Sequence, residues 1–222
     1  MIYSQGSSTA INSGNVFQYN AIANFFSTTV NSYGIFLGAN NNDSYVIKNS
    51  FYQTVSRSTV PSANVINTAI SIENSTNGTM YRVDSNYIGG TDVMAGGSPM
   101  TLGTSTSCTK YYRFRGIYLA TLTNINPEKI TIKYNTITNI TNTSNMTGIV
   151  TTSSPFEGIS LSGGNAYIAY NTIGSTTSAG AISVNFNKAS SFAGITYNGA
   201  SNSIGLITSN TIGGISVAVA TV

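Results

Sequence analysis

The segment Tyr167-Ile168-Ala169-Tyr170-Asn171-Thr172-Ile173-Gly174 decides the fold, because its pattern returns along the chain around one recurring asparagine. Alignment on Asn171 collects Asn20, Asn49, Asn86, Asn135 and Asn210, with separations of 29, 37, 49, 36 and 39 residues. Intervals of this size belong to solenoid repeats. Three residues before the asparagine stand Phe17, Val46, Val83, Ile132, Ile168 and Ile207; two residues after it stand Ile22, Phe51, Ile88, Ile137, Ile173 and Ile212. Both columns are apolar in every repeat, while the positions between them are mixed. Apolar and tolerant positions that alternate with period 2 mark strands with one buried face.

Working outward, a second motif precedes most of these asparagines: a small residue, then Ile, then alternation. It reads Gly34-Ile35-Phe36-Leu37, Ala69-Ile70-Ser71-Ile72, Gly116-Ile117-Tyr118-Leu119, Gly158-Ile159-Ser160-Leu161 and Gly194-Ile195-Thr196-Tyr197. Each repeat therefore carries at least two short strands. The connecting lengths vary, as expected of loops inserted into a constant scaffold. The longest irregular stretch, about 90–115, reads as a loop insertion.

These runs, with Ile130-Thr131-Ile132-Lys133-Tyr134-Asn135-Thr136-Ile137 and Ile207-Thr208-Ser209-Asn210-Thr211-Ile212-Gly213-Gly214, resemble right-handed parallel β-helix repeats of the pectate-lyase type. Asn86-Tyr87-Ile88-Gly89-Gly90 and the Asn-Thr-Ile-Gly segments are similar to repeats of large secreted bacterial surface proteins, including type IX secretion cargo. The resemblance implies an all-β, single-stranded right-handed parallel β-helix solenoid of about six coils, with Asn20, Asn49, Asn86, Asn135, Asn171 and Asn210 as an internal ladder. Asparagine suits such a turn because it tolerates the left-handed backbone and its amide can both donate and accept. Residues 1–222 then form one domain, or a section of a longer β-helix, since Ile215 to Val222 reads apolar and strand-like to the last residue.

Composition narrows the function. The chain has 222 residues, of which 7% are charged against a usual figure of about 25%. Asparagine, serine, threonine and glycine replace them. Histidine is absent and Cys108 is the only cysteine, which excludes a Ser-His-Asp triad, a Cys-His dyad, an intrachain disulfide and multi-cysteine metal sites. A net charge of +3 is too small and scattered to define a nucleic-acid surface. No apolar run approaches the roughly 20 residues that span a bilayer.

The carboxylates are Asp43, Glu73, Asp84, Asp92, Glu128 and Glu157, and only Asp84 falls on an aligned strand column. Its neighbours there suggest an exposed pair with Lys133. No residue is assigned to catalysis, to a metal or to a cofactor, although loop positions such as Asp92 and Glu157 are where a polysaccharide lyase or hydrolase would have to place its acid and base. Ser107-Cys108-Thr109-Lys110 fits S-x-x-K without the partner motifs, and Gly89-Gly90-Thr91-Asp92 reads as a turn. The run Lys110-Tyr111-Tyr112-Arg113-Phe114-Arg115 interleaves three cations with three rings, a composition suited to stacking on sugars; Tyr19, Tyr134 and Tyr170 on the outer columns raise the same question. The expectation is a structural or adhesive protein of the bacterial cell surface, a rod segment or fibre subunit that stacks end to end or continues in a longer chain and binds glycans. The alternative is a polysaccharide-degrading enzyme.

Overall fold

The structure, a computed structural model, describes residues 1–74, 80–104, 108–121, 130–144, 154–186, 191–199 and 203–219. It is all-β, with strands paired in parallel into stacked sheets. The first sheet stacks Ile2–Ser4, Ser32–Leu37, Val65–Asn74, Tyr112–Thr121, Phe156–Ser162 and Phe192–Asn198 in chain order. The second stacks Val16–Gln18, Ser44–Ile47, Tyr81–Asp84, Ile130–Lys133, Ala166–Ala169 and Gly205–Thr208. The third stacks Ala21–Ala23, Ser50–Tyr52, Tyr87–Ile88, Thr136–Ile137, Thr172–Gly174 and Thr211–Gly213. A fourth holds Arg57–Thr59, Met100–Thr104, Ile140–Ser144, Ile182–Phe186 and Ile215–Val219, and Asn12–Ser13 pairs with Asn41–Asn42. The chain visits the same sheets in the same order, circuit after circuit, as a solenoid does.

Register explains the periodicity in the sequence. Val46, Val83, Ile132 and Ile168 are successive partners in the second sheet, and Phe51, Ile88, Ile137 and Ile173 in the third. All eight are completely buried, each contributing about 1.5–3 kcal/mol by leaving water. The first sheet adds the column Ile35, Ile70, Ile117 and Ile159, equally buried. The small residue before each of these isoleucines is skipped by the ladder pairing. A Cβ on Gly158 would lie 2.5 Å from the Gly194 carbonyl oxygen and 2.9 Å from Ile173 Cδ1, so the third sheet's core side chains occupy the space that a larger residue would need.

The asparagine ladder is continuous and runs in one chemical direction. Each of Asn20, Asn49, Asn86, Asn135 and Asn171 donates its backbone N–H, at 3.0 Å, to Oδ1 of the next asparagine in the series. Its Nδ2 donates to the same oxygen at 2.8–3.0 Å. From Asn49 onward Nδ2 also donates to a carbonyl of the preceding circuit, from Phe17, Val46, Val83, Ile132 and Ile168 in turn.

The backbone differs from expectation at this corner. The left-handed residue is the one before the asparagine: Tyr19, Lys48, Ser85, Tyr134, Tyr170 and Ser209 all have φ between 53° and 57°. None of the six asparagines has positive φ. The preceding residue therefore carries the conformational strain, roughly 1–2 kcal/mol each, and the asparagine supplies the hydrogen bonds that offset it.

The stretch 90–115 is not one loop. It contains a 3-10 turn at Val93–Ala95, the strand Met100–Thr104 and the start of Tyr112–Thr121. Gly89 and Gly90 turn the chain with φ of 126° and 70°, and a Cβ on Gly89 would overlap the Thr138 carbonyl. Asn139 Nδ2 then donates to the carbonyls of Ala95 and Gly97, at 3.1 and 3.0 Å, pinning the turn against the next circuit.

The core opens at the last described circuit. Ile207 and Ile212 are 46% and 49% exposed, whereas Ile168 and Ile173, one strand earlier in the same columns, are completely buried.

Candidate functional site

Strand alternation sorts the run 110–115. Tyr112 and Phe114 point inward and are completely buried, Phe114 tilted against Phe156 with ring centroids 5.9 Å apart. Burial pushes the Tyr112 phenol far up from its ordinary range. Lys110 is exposed, Tyr111 and Arg115 are half-buried, and Arg113 is buried. The six residues are thus not one surface; the accessible part is Lys110, Tyr111 and Arg115.

The two arginines meet Glu157. Arg115 Nε lies 2.6 Å from Oε2 and Arg113 lies 3.4 Å from Oε1, with all three side chains 15% exposed or less. Glu157, expected in a loop, sits on the strand Phe156–Ser162 as the register partner of Arg115. The Arg115 guanidinium lies 4.2 Å from the Tyr118 ring centroid. Burial lowers the Arg113 pKa, and Glu157 opposes that shift. A carboxylate held between two guanidiniums in a largely desolvated site is committed to charge balance.

Further along the same outer face, Tyr3 stacks on Phe36 at 5.4 Å and Tyr33 tilts against it at 4.7 Å. They border a hollow of about 430 Å³ that also touches Glu73, whose Oε1 accepts from Ser71 Oγ at 2.7 Å. Burial first, then the Glu73 charge, pushes the Tyr33 phenol up.

The outer face of the second sheet has another chemistry. Tyr134 and Tyr170, adjacent in the corner column, stack at 5.2 Å with planes 8° apart. Lys133 Nζ lies 4.2 Å from the Tyr167 ring centroid, and Lys48 Nζ lies 5.4 Å from that of Tyr19. Hydrogen bonding with Tyr170 heads the causes that push the Tyr167 phenol up. Asp84 and Lys133 are register partners as expected, but the carboxylate turns to Arg82 at 2.5 Å and accepts from Ser85 Oγ at 2.8 Å. The expected exposed pair is thereby replaced: the Asp84 side chain is 6% exposed, so the nearest guanidinium on its own strand reaches it while Lys133 lies over a ring. A hollow of about 430 Å³ opens here between Tyr45, Arg82, Asp84, Lys133 and Tyr134.

The remaining candidates separate. Asp92 caps the 3-10 turn by accepting from Val93 N at 2.7 Å, at the junction of the third and fourth sheets, and does not meet Glu157 in the first. Asp43 accepts from Ser13 Oγ at 3.3 Å. Ser107 and Glu128 lie outside the described residues, and Cys108 is buried. Among the described residues no three His, Cys, Asp or Glu side chains converge as a metal site would require, and no helix is long and apolar enough to cross a membrane.

One polar corner escaped the sequence reading. Between the first and second sheets Asn74 Nδ2 donates to the Asn41 carbonyl and to the Tyr81 hydroxyl, while the Tyr81 hydroxyl donates to the same carbonyl. Asn41 follows Leu37 by four residues, whereas Asn74 follows the equivalent Ile72 by two. Unequal spacing hid the correspondence. Comparison of the chain with protein-family models, curated proteins and solved structures finds no match.

Proposed function

We propose that this chain is a structural and adhesive section of an extracellular rod on a bacterial surface: a right-handed parallel β-helix of about six coils, of the pectate-lyase-like repeat type and similar to type IX secretion cargo. The observation that carries the reading is the use made of the described carboxylates. Glu157 balances two arginines, Asp84 balances Arg82, Asp92 caps a turn, and Glu73 and Asp43 accept from serine hydroxyls. Each is thus engaged by a neighbour, Glu157 and Asp43 across circuits and Asp84, Asp92 and Glu73 within their own strand or turn, where an enzyme would reserve such side chains for acid–base work. The ladder and the apolar columns support rigidity along the axis, and outer faces rich in rings and hydroxyls support many weak contacts with glycans.

We propose that such a section stacks end to end on copies of itself or continues in a longer chain. Negative-stain electron microscopy over a range of protein concentrations tests this. Stacked copies give filaments with an axial repeat near 29 Å, six strand spacings of about 4.8 Å. Isolated stubby particles at every concentration would remove self-stacking and leave the section of a longer rod. A polysaccharide-degrading enzyme remains the alternative reading.

A further inference from the structure

We infer that the hollow bordered by Tyr3, Tyr33, Phe36 and Glu73, on the outer face of the first sheet, is a binding site for a quaternary ammonium ion, the trimethylammonium group that choline carries. The inference goes beyond the adhesive reading and does not depend on it.

Strand register builds a wall of rings. Tyr3 and Phe36 are partners on adjacent strands, and their rings stack at 5.4 Å with planes 5° apart. Tyr33 and Phe36 both face outward because the alternation changes phase at Gly34, the residue that the strand pairing skips. The Tyr33 ring is tilted by 57° against that of Phe36, with centroids 4.7 Å apart, which turns the wall into a corner. Gln5 Oε1 holds Tyr3 in place by accepting from its hydroxyl. Gly38 keeps the hollow open, since a Cβ there would lie 3.1 Å from Phe36 Cε1 and 3.4 Å from Gln5 Oε1. Glu73 supplies the charge, and its carboxylate is near enough to Tyr33 to add to the upward push that burial gives the phenol. Ring faces and a carboxylate in one hollow both attract a cation.

Two observations select a quaternary ammonium ion. The side-chain acceptors at the hollow are already engaged, Glu73 Oε1 by Ser71 Oγ at 2.7 Å and Gln5 Oε1 by the Tyr3 hydroxyl. A lysine or arginine side chain brings several N–H donors that each need an acceptor, whereas trimethylammonium has none and asks only for rings and a counter-charge. The same face also shows, two strands further along, how a cation settles in such a setting: the Arg115 guanidinium lies 4.2 Å from the Tyr118 ring centroid, with Arg115 Nε 2.6 Å from Glu157. At Tyr3, Tyr33 and Phe36 the rings and the carboxylate are present without the cation. Met1 borders the hollow, but among the described residues no amino or guanidinium group pairs with Glu73 and none lies over these three rings. The volume, about 430 Å³, falls in the range of small-molecule sites.

Proton NMR titration of the intact chain with choline, at constant ionic strength, tests the proposal. Choline is expected to bind saturably with a dissociation constant on the order of 1 mM, its methyl resonance shifting upfield under the ring currents. Its neutral isostere, the alcohol with a tert-butyl group in place of trimethylammonium, is expected to bind roughly tenfold more weakly. Glu73→Gln keeps an acceptor for Ser71 and is expected to lose roughly tenfold in choline affinity. Tyr3→Ala removes a ring that is 56% exposed, so it spares the core, and a similar loss is expected. Far-UV circular dichroism and melting temperature report that both variants fold. Phosphatidylcholine vesicles separate the two sources of the group: capture of the chain that free choline reverses assigns a lipid headgroup, and choline binding without capture assigns a free solute. Three results overturn the proposal: no saturable binding of choline, equal binding of the neutral isostere, or unchanged choline affinity in either folded variant.

Discussion

Removing one rung from the middle of the ladder should cost far more than removing one from its end, and the structure fixes the difference. Asn135 is completely buried. Its Nδ2 donates to the carbonyls of Val83 and Lys133 and to Asn171 Oδ1, and its Oδ1 accepts from Asn86 N and Asn86 Nδ2. Asn135→Ala strands the Asn86 backbone N–H inside the core and strips two carbonyls of a donor. An orphaned buried group costs about 1–3 kcal/mol and each lost bond about 1 kcal/mol, which places the total near 4 kcal/mol. For a chain of this size that is a fall of roughly 10 °C in melting temperature. Asn20, at the other end of the series, is half-buried and donates to Gln18 O and Asn49 Oδ1, with water at hand to replace what is lost. Asn20→Ala should cost about 1 kcal/mol. Urea unfolding followed by far-UV circular dichroism measures both. Equal losses at the two positions would refute the claim that the inner asparagines bear the load.

Three further outcomes are expected. Gly158→Ala forces a methyl against the Gly194 carbonyl and Ile173 and should destabilise by about 1–3 kcal/mol; an unchanged urea midpoint would show that the circuits can part to admit it. Glu157→Gln leaves Arg113 and Arg115 facing each other and should cost about 2–4 kcal/mol, whereas replacing all three by apolar residues of similar volume should recover most of it; a triple variant no better than the single one would contradict this. Burial pushes the Tyr81 phenol up to about 12 from 10.0. Because the folded state holds that proton more tightly than the unfolded chain, its share of stability is intact below pH 10 and is lost as pH rises toward 12, roughly 2–3 kcal/mol in all. Tyrosinate absorbance should show Tyr81→Phe losing that part of the alkaline decline; an identical pH profile in the variant would refute it.

The apolar columns and the ladder positions were legible because stacking demands the same residue type at the same height in every circuit, and the parallel stacking was implied by the resemblance to β-helix repeats. Which residue takes the left-handed conformation was not legible: Tyr, Lys and Ser share no side-chain chemistry, and the constraint falls on their backbone alone. The inward turn of Tyr112 and Phe114 was not legible from Ile117 and Leu119, because counting back from those in twos lands on Arg115 and Arg113; the alternation changes phase at Gly116, the residue that the strand pairing skips. The commitment of Glu157 was hidden for another reason. Arg115 and Glu157 stand 42 residues apart, and only the register of two strands in the first sheet brings them together. Asp84 shows the limit of register itself, since its column partner was foreseen while its true partner lies two residues away on its own strand.

Incubation of the purified chain with a panel of acidic and neutral polysaccharides, with and without calcium, measures adhesion and degradation in one experiment. Co-sedimentation reports binding, and new reducing ends report chain cleavage. The account expects the chain to sediment with one or more of these polysaccharides while their length stays unchanged over prolonged incubation. Accumulation of new reducing ends, above a boiled control, would contradict it and make the molecule an enzyme.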